Sequence, residues 1–288
     1  MTKFVVLYWE PGSCGDFVQQ CLLYNKQYHG IIDNFVKDDM GRIRPGSVNQ
    51  YFKDNFNVEN NLWYEIDWNT NNVEKLFQYV QHQNIKEFLI PTHHYPQVIN
   101  LKNQIPEILS VGMVYPKNMF PLVIKNWCKK VTANDTVLKK IYNDPLHKVL
   151  IQNKVFGEYI LSEQLKFGTN IPFSVLEKFD VNISLESLFN KDVNQIKSLL
   201  INNEHVHDLF NEWFTYQSDL YKYQHDLAQE LEQSLGFNSL ATEITDMNID
   251  LDIFDNILIN HFSGSKKQLP IFKTLNQAQI FFKETTVA

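Results

Sequence analysis

The sequence is poor in the features that would place it outside the cell, in a membrane or on nucleic acid. Its 288 residues include three cysteines, Cys14, Cys21 and Cys128, with no close pair that suggests a disulfide framework. It carries 26 basic and 33 acidic residues, and this net charge of −7 disfavours a surface built for DNA or anionic lipid. No apolar run approaches the length of a membrane span or of a secretory signal. We therefore expect a soluble cytoplasmic protein that binds neither nucleic acid nor membrane.

Several well-known catalytic motifs are missing as well. The nucleotide-binding string G-x-x-x-x-G-K-[ST], the dinucleotide-binding string G-x-G-x-x-G and the hydrolase string G-x-S-x-G are all absent. His205 and His207 have the spacing of two metal ligands, but no third ligand can be identified, so we expect no metal site. Cys14 precedes a predicted helix, where a thiol is more reactive, but the sequence identifies no histidine partner for it.

Three continuous apolar runs are present, at residues 4–9, 87–92 and 108–115. Runs of this length without alternation are typical of strands that are buried on both faces of a parallel sheet. Apolar residues at helical spacing separate them, over 17–24 and 73–82. The sequence therefore predicts an α/β fold with a central parallel sheet flanked by helices. Ligands of such folds bind at the carboxyl ends of the strands, so the loops after these three runs are the candidate site.

The first of these loops lies between a predicted strand and a predicted helix. Its residues are Gly12, Ser13, Cys14, Gly15, Asp16 and Phe17. Glycines at this place allow backbone N–H groups to point into one space, and the positive end of the helix dipole adds to their effect. The loop is therefore either a cradle for a phosphate or sulfate or a tight structural turn.

The second and third loops carry a histidine and a basic cluster. Thr92 and His93 end the second run, and an imidazole there is either a general base or a packing residue. Lys117, Asn118 and Lys125 come after the third run and either bind an anionic cofactor or lie on a solvated helix face. The aromatic residues of 51–68 either line a ligand pocket or belong to the core, and the Asn-rich stretch 55–72 is expected to be a surface loop or lid.

In this order, the three elements resemble the sulfotransferase family, whose fold is similar to that of the P-loop kinases. The loop at 11–17 is similar to the family's P-K-S-G-T-T-W loop, which holds the 5′-phosphosulfate of 3′-phosphoadenosine 5′-phosphosulfate (PAPS). Residues 90–96 are similar to its K-T-H-x-P segment, with Pro91 in place of the lysine. Residues 114–118 are similar to its R-N-P-K-D segment, with Asn118 in place of the aspartate and no arginine. The resemblance covers residues 3–237.

The resemblance implies a P-loop NTPase-like sulfotransferase domain over 1–236, with a C-terminal extension over 237–288 packed on it. It implies transfer of a sulfuryl group from PAPS, without a metal, to a hydroxyl or amine of a small-molecule acceptor, with His93 as the catalytic base. It assigns the cofactor to Gly12, Ser13, Cys14, Gly15, Asp16, Phe17, Thr92, Lys117, Asn118 and Lys125. The alternative is an inactive relative that binds an anion or a partner. A small-molecule kinase is less favoured, because no Ser or Thr that could bind Mg²⁺ follows a Gly-Lys pair.

Overall fold

The structure is a computed structural model that describes most of the N-terminal part of the chain. The described residues are 2–24, 27–37, 43–58, 63–115, 123, 143–145, 178–190, 192–200, 206, 208–209 and 211–212. The chain divides into two compact units, Met1–Tyr115 with Leu176–Tyr216, and Pro116–Val175 with Gln217–Ala288. Nearly all described residues belong to the first unit. Lys117, Asn118, Lys125 and the segment 237–288 lie outside the described residues.

Seven strands are described in the first unit. They are β1 (Lys3–Tyr8), β2 (His29–Gly30), β3 (Phe35–Lys37), β4 (Ile43–Pro45), β5 (Glu87–Thr92), β6 (Leu109–Val114) and β7 (Val181–Ser184). Five of them form one sheet in the order β2–β5–β1–β6–β7, and every neighbouring pair in it is parallel. β3 and β4 form a separate antiparallel pair.

Helices flank this sheet, and the two predicted over 17–24 and 73–82 are present with starts two and three residues earlier. They are α1 (Gly15–Tyr24), α2 (Gln50–Asn55), α3 (Thr70–His82), α4 (Tyr95–Gln104), α5 (Leu185–Phe189) and α6 (Asn194–Lys197), with a 3₁₀ helix at Trp63–Glu65. α3 begins three residues before the predicted start, because the side chain of Asn69 accepts a hydrogen bond from the backbone N–H of Asn72 and caps the helix. The chain is therefore α/β, as predicted.

The three predicted strands are parallel neighbours, and this prediction is confirmed. Val5 of β1 is in register with Leu89 of β5 on one side and with Leu109 of β6 on the other. All the residues of β1 and β5 except the first are buried, because both faces of the sheet are covered. Since the three strands run in the same direction, their C-terminal ends and the described residues that follow them lie at one edge of the sheet, which we call the carboxyl edge; directly after β6, only Tyr115 is described.

Side chains at the end of β1 alternate between the two faces of the sheet, as in any strand. The ring of Tyr8 contacts Tyr95 at the start of α4 and stacks on Phe179, with centroids 5.9 and 5.4 Å away. Trp9 lies on the other face, where its side chain packs directly against Gly15 of α1. The last residues of β1 are therefore in contact with helices on both sides of the sheet.

The aromatic residues of 51–68 are mostly part of the core, which is one of the two interpretations that the sequence allows. Phe52, Phe56, Trp63 and Trp68 are at most 5% exposed. Phe52 packs on Phe88 of β5, and Phe56 packs on Trp68. The described part of the stretch 55–72 is mostly irregular and partly exposed, as expected for a loop, but Phe56, Trp63, Ile66 and Trp68 within it are buried and anchor it to the core.

Candidate active site

The backbone of Trp9 joins the loop after β1 to the loop after β5. Its N–H donates a hydrogen bond to the carbonyl oxygen of Thr92 at 3.3 Å, which extends the pairing of the two strands by one residue. Its own carbonyl oxygen lies 2.9 Å from Nδ1 of His93. The structure thus brings His93 against the residue that precedes the loop 10–16, as the predicted arrangement of the three loops requires.

The contact with Trp9 fixes the protonation of the His93 ring. A carbonyl oxygen can only accept, so Nδ1 of His93 must carry a proton and donate it to Trp9. In the neutral imidazole the lone pair then belongs to Nε2. A hydrogen bond from one ring nitrogen to a backbone carbonyl thus fixes the tautomer and the orientation of the imidazole.

Three aromatic side chains surround the His93 ring, and we call them the aromatic enclosure: Trp9, Trp63 and Tyr64. Their ring centroids lie 4.6, 5.5 and 5.8 Å from that of His93. Trp9 and Trp63 are buried, whereas His93 and Tyr64 are half-buried and so have one side accessible to solvent. The sequence placed Trp63 and Tyr64 among possible pocket residues, but it gave no sign that they meet His93 and Trp9.

Thr92 has a structural task in the turn between β5 and α4. Its buried hydroxyl donates to Oε1 of Gln97 at 2.9 Å and accepts from the backbone N–H of His94 at 3.0 Å. His94 is the first residue before α4 and makes no side-chain capping bond. Burial lowers the pKa of the His94 imidazole below its ordinary value. The two adjacent histidines therefore differ in their surroundings. The ring of His93 is hydrogen-bonded to the carbonyl oxygen of Trp9, whereas burial dominates the environment of His94.

The loop after β1 adopts the backbone conformation of a tight turn that leads into α1. Gly12 and Cys14 have φ angles of 91° and 65°, in the left-handed region that non-glycine residues rarely adopt. The Ser13 backbone N–H and hydroxyl both donate to the carbonyl oxygen of Glu10, at 3.0 and 2.7 Å. The Phe17 N–H donates to the carbonyl oxygen of Cys14 at 3.1 Å. For an anion cradle we expected the backbone N–H groups of residues 13–17 to converge on one space, but two of these five, those of Ser13 and Phe17, are bonded within the loop.

Gly15 is required by the packing of α1 on the strand end. A Cβ atom at this position would lie 2.0 Å from Cγ of Trp9, a distance at which one of the two must move. The glycine therefore permits close contact between the first turn of α1 and the indole, and through it sets the position of the aromatic enclosure. Asp16 follows in the first turn of the helix and is half-buried, and Phe17 is buried.

Glu10 lies at the start of the turn after β1, and the sequence gives no sign that it belongs to the site. Its side chain is fully buried, and it accepts a hydrogen bond from the hydroxyl of Tyr115, which follows β6. Burial, followed by the charge of Glu10 and the neighbouring Tyr95, raises the pKa of the Tyr8 phenol well above its ordinary value. Glu10 and Tyr115 thus connect the first and third loops, on the face of the sheet that carries Tyr8.

The charge of the loop after β1 does not favour a bound anion. Residues 9–18 contain no Lys, Arg or His, and Glu10 adds a buried carboxyl group. A donor such as PAPS fits this loop only in part. The glycine turn and the start of α1 are in place. The loop itself, however, supplies no cationic side chain to bind the phosphates of the donor. The cations that the resemblance assigns to the donor, Lys117 and Lys125, lie outside the described residues.

Comparisons of the chain with known protein families, with curated proteins and with solved structures found no match. Among the residues that the structure describes, no helix is both long enough and apolar enough to cross a membrane. In the same residues, no group of three or more His, Cys, Asp or Glu side chains is placed to hold a metal ion. The case for any particular activity therefore depends on the carboxyl edge itself.

Proposed function

We propose that the chain is a group-transfer enzyme of the sulfotransferase type, with a P-loop-like fold, in which His93 removes the proton from the acceptor. The observation that supports this most is the hydrogen bond from His93 Nδ1 to the carbonyl oxygen of Trp9. It orients the ring and selects the tautomer in which Nε2 is the acceptor nitrogen, which is the form that a general base uses. Ligands of parallel α/β sheets bind at the carboxyl ends of the strands, so a histidine held there is placed to act on a bound acceptor.

The described residues would contribute three effects to such a reaction. His93 Nε2 takes the proton of the acceptor hydroxyl or amine and so raises its nucleophilicity. Trp9, Trp63 and Tyr64 pack around the ring, so they limit its rotation and exclude water from one side of it. The first turn of α1 lies directly behind Trp9 and adds the positive end of a helix dipole.

The donor in this proposal is PAPS, which would supply the sulfuryl group. Because the N–H groups of Ser13 and Phe17 are bonded within the loop, most of the charge of the donor must be balanced elsewhere. Lys117 and Lys125 are the residues that we propose for this task, by the resemblance to the family. The acceptor is proposed to be a small molecule with a hydroxyl or amine group.

A second function, an inactive relative that binds a partner or a ligand without chemistry, is favoured by Glu10. A buried acidic side chain next to the loop, which accepts the hydroxyl of Tyr115, offers no positive charge to a phosphate or sulfate and repels it when ionised. In that case His93 is a packing residue of the aromatic enclosure. The two proposals differ in whether an anionic nucleotide binds at this edge and in whether His93 affects a rate.

Binding and turnover can be measured separately. Calorimetric titration with adenosine 3′,5′-bisphosphate tests the donor site, and release of this nucleotide from PAPS in the presence of phenols, alcohols and amines tests transfer. We expect His93→Ala to lower turnover by about 10²–10⁴-fold and to leave nucleotide binding nearly unchanged. His94→Ala is the matched control, because it removes the adjacent imidazole and leaves the bond between His93 and Trp9 in place. No binding heat at millimolar nucleotide, or equal losses in both variants, would favour the second function.

A further inference from the structure

The side-chain amide of Gln97, in the first turn of α4, joins two segments that are distant in the chain. Its Nε2 donates a hydrogen bond to the backbone carbonyl oxygen of Ile66 at 3.1 Å, and its Oε1 accepts one from the Thr92 hydroxyl at 2.9 Å. We call these two bonds the Gln97 bridge. Their directions are fixed, because a carbonyl oxygen can only accept and must therefore face the NH₂ group of the amide.

One end of the Gln97 bridge reaches the backbone on both sides of His93. Thr92 is the residue before His93, and its hydroxyl also accepts a hydrogen bond from the backbone N–H of His94 at 3.0 Å. The backbone N–H of Gln97 itself donates to the carbonyl oxygen of His94 at 3.0 Å. Gln97 is therefore bonded to the residues immediately before and after the candidate base, and it restricts the backbone from which the His93 ring projects.

The other end of the Gln97 bridge reaches the aromatic enclosure. Ile66 is buried, and its backbone N–H donates to the carbonyl oxygen of Trp63 at 3.4 Å. The rings of Trp63 and Tyr64 lie 5.5 and 5.8 Å from that of His93, between centroids. A glutamine at this helix position needs only the bond on the Thr92 side to close the start of α4. The bond to Ile66 has no part in that closure and ties the enclosure to the turn that carries His93.

We propose that Gln97 is a positioning residue of the candidate active site, and the proposal rests on the function proposed above. The Gln97 bridge holds the turn that carries His93 against the segment 63–66, so that Nδ1 of His93 stays on the carbonyl oxygen of Trp9. Without the bridge the ring leaves this carbonyl, and the proton of the neutral imidazole is then shared between Nδ1 and Nε2. A proton on Nε2 blocks the nitrogen that acts as the base.

The tautomer of His93 is a readout that a purely structural role of Gln97 would not change. In protein with ¹⁵N-labelled histidine, long-range ¹H–¹⁵N spectra show which ring nitrogen carries the proton, and His93→Ala identifies the signal by its absence. We expect the Nδ1–H form of the neutral ring in wild type and a mixture of both forms in Gln97→Met, which removes both bonds. Gln97→Glu should also give a mixture, because its carboxylate accepts from Thr92 but cannot donate to Ile66. A wild-type signal in either variant would overturn the proposal.

Gln104→Met is the matched control, because Gln104 lies two turns further along the same face of α4. Its Nε2 donates to the carbonyl oxygen of Trp68 at 3.0 Å, so this variant loses a similar bond, two residues further along the chain from Ile66. We expect it to keep the wild-type His93 signal. The same mixture of tautomers as in Gln97→Met would indicate a general loosening of α4 and would overturn the proposal.

Turnover separates this proposal from the function on which it rests. In the transfer assay, Gln97→Met should lower kcat by about 10–10²-fold with a much smaller change in KM, because a displaced base slows the chemical step more than it weakens binding. A low kcat in His93→Ala together with full kcat in Gln97→Met would overturn the proposal. If His93→Ala itself keeps full turnover, the proposed function fails, and the tautomer alone then decides whether Gln97 positions the ring.

Discussion

The two edges of the sheet differ in how their polar side chains are paired. At the edge where the strands begin, which we call the amino edge, Lys3 lies 3.8 Å from Glu87 and Lys102 lies 2.9 Å from Asp180. At the carboxyl edge, His93 lies among the rings of the aromatic enclosure. The four charged groups of the amino edge are paired with each other, and Asp180 also accepts hydrogen bonds from the backbone and side chain of Ser110. Such an arrangement fixes strands and offers little to a ligand.

The carboxyl edge differs in that the described partners of its polar groups are backbone atoms or uncharged side chains. His93 is held by a carbonyl oxygen, and Glu10 is buried with Tyr115. The amino edge is therefore expected to contribute to stability alone, whereas the carboxyl edge is expected to contribute to function. Variants at the two edges test this division.

The largest effect is expected from Gly15→Ala at the carboxyl edge. The added Cβ would lie 2.0 Å from Cγ of Trp9, so the indole and the carbonyl group that holds His93 must shift. We expect a loss of about 1–3 kcal/mol in the free energy of unfolding, measured with urea, and a large loss of turnover.

Gly112→Ala is the control for this variant, because its Cβ would lie 2.1 Å from Cδ2 of Phe179, on the other face of the sheet from Trp9. It should destabilise the protein by a similar amount while retaining more activity per folded molecule. If Gly15→Ala keeps full activity, Trp9 does not determine the position of His93.

A loss of stability without a loss of function is expected from Asp180→Ala at the amino edge. The change removes the acceptor of the buried Ser110 N–H and hydroxyl, which should cost about 1–3 kcal/mol in urea unfolding. Lys102→Met removes the partly exposed ion pair and the 3.0 Å hydrogen bond from Nζ to the Ser110 hydroxyl, but leaves the two bonds from Ser110 to Asp180, so it should cost less, about 1 kcal/mol. A change in nucleotide binding or turnover in either variant would show that the two edges are coupled.

The effect of Asp180 should also depend on pH. Desolvation raises the pKa of its carboxyl, but hydrogen bonds from Ser110 and Lys102 outweigh this, so the pKa lies below its ordinary value. A lowered carboxyl pKa stabilises the fold above the unfolded value of about 3.9, and the contribution is lost as the pH falls through the folded value. The difference in the free energy of unfolding between wild type and Asp180→Ala should therefore become smaller in strong acid.

The smallest effect is expected from His94→Gln, and it emerges only on acidification. Burial lowers the pKa of His94, so the unfolded chain binds a proton at this residue more readily than the folded one. Above the unfolded pKa of about 6.5 the ring is neutral in both states, so it does not lower the stability. As the pH falls below that value, the unfolded chain takes up the proton first, and the free energy of unfolding decreases. Urea midpoints at pH 7.5 and 5.5 should differ less in His94→Gln than in wild type. An unchanged difference would show that this ring does not contribute to acid sensitivity.

The sequence by itself determined the parallel sheet and the meeting of the three strand ends at one edge. Residues 4–9, 87–92 and 108–115 are continuously apolar, and the observed strands coincide with them within about two residues. The strands could be predicted because burial on both faces requires a continuous apolar run, which is visible in the local sequence. The edge could be predicted because parallel strands end on the same side of a sheet. His93 could be placed there for the same reason.

Only the tertiary structure decided what each polar group at that edge contacts. The partner of His93 is a carbonyl oxygen 84 residues away, and the hydroxyl that binds Glu10 belongs to a residue 105 positions away. The local pattern around Glu10 is that of an ordinary turn, and its burial depends on the strand β6 that lies beside it. Gln19 likewise has the pattern of a helix surface residue, yet α1 is covered on all sides at that point. Contacts across such separations depend on how the elements pack, and the periodicity of a single segment does not contain that information.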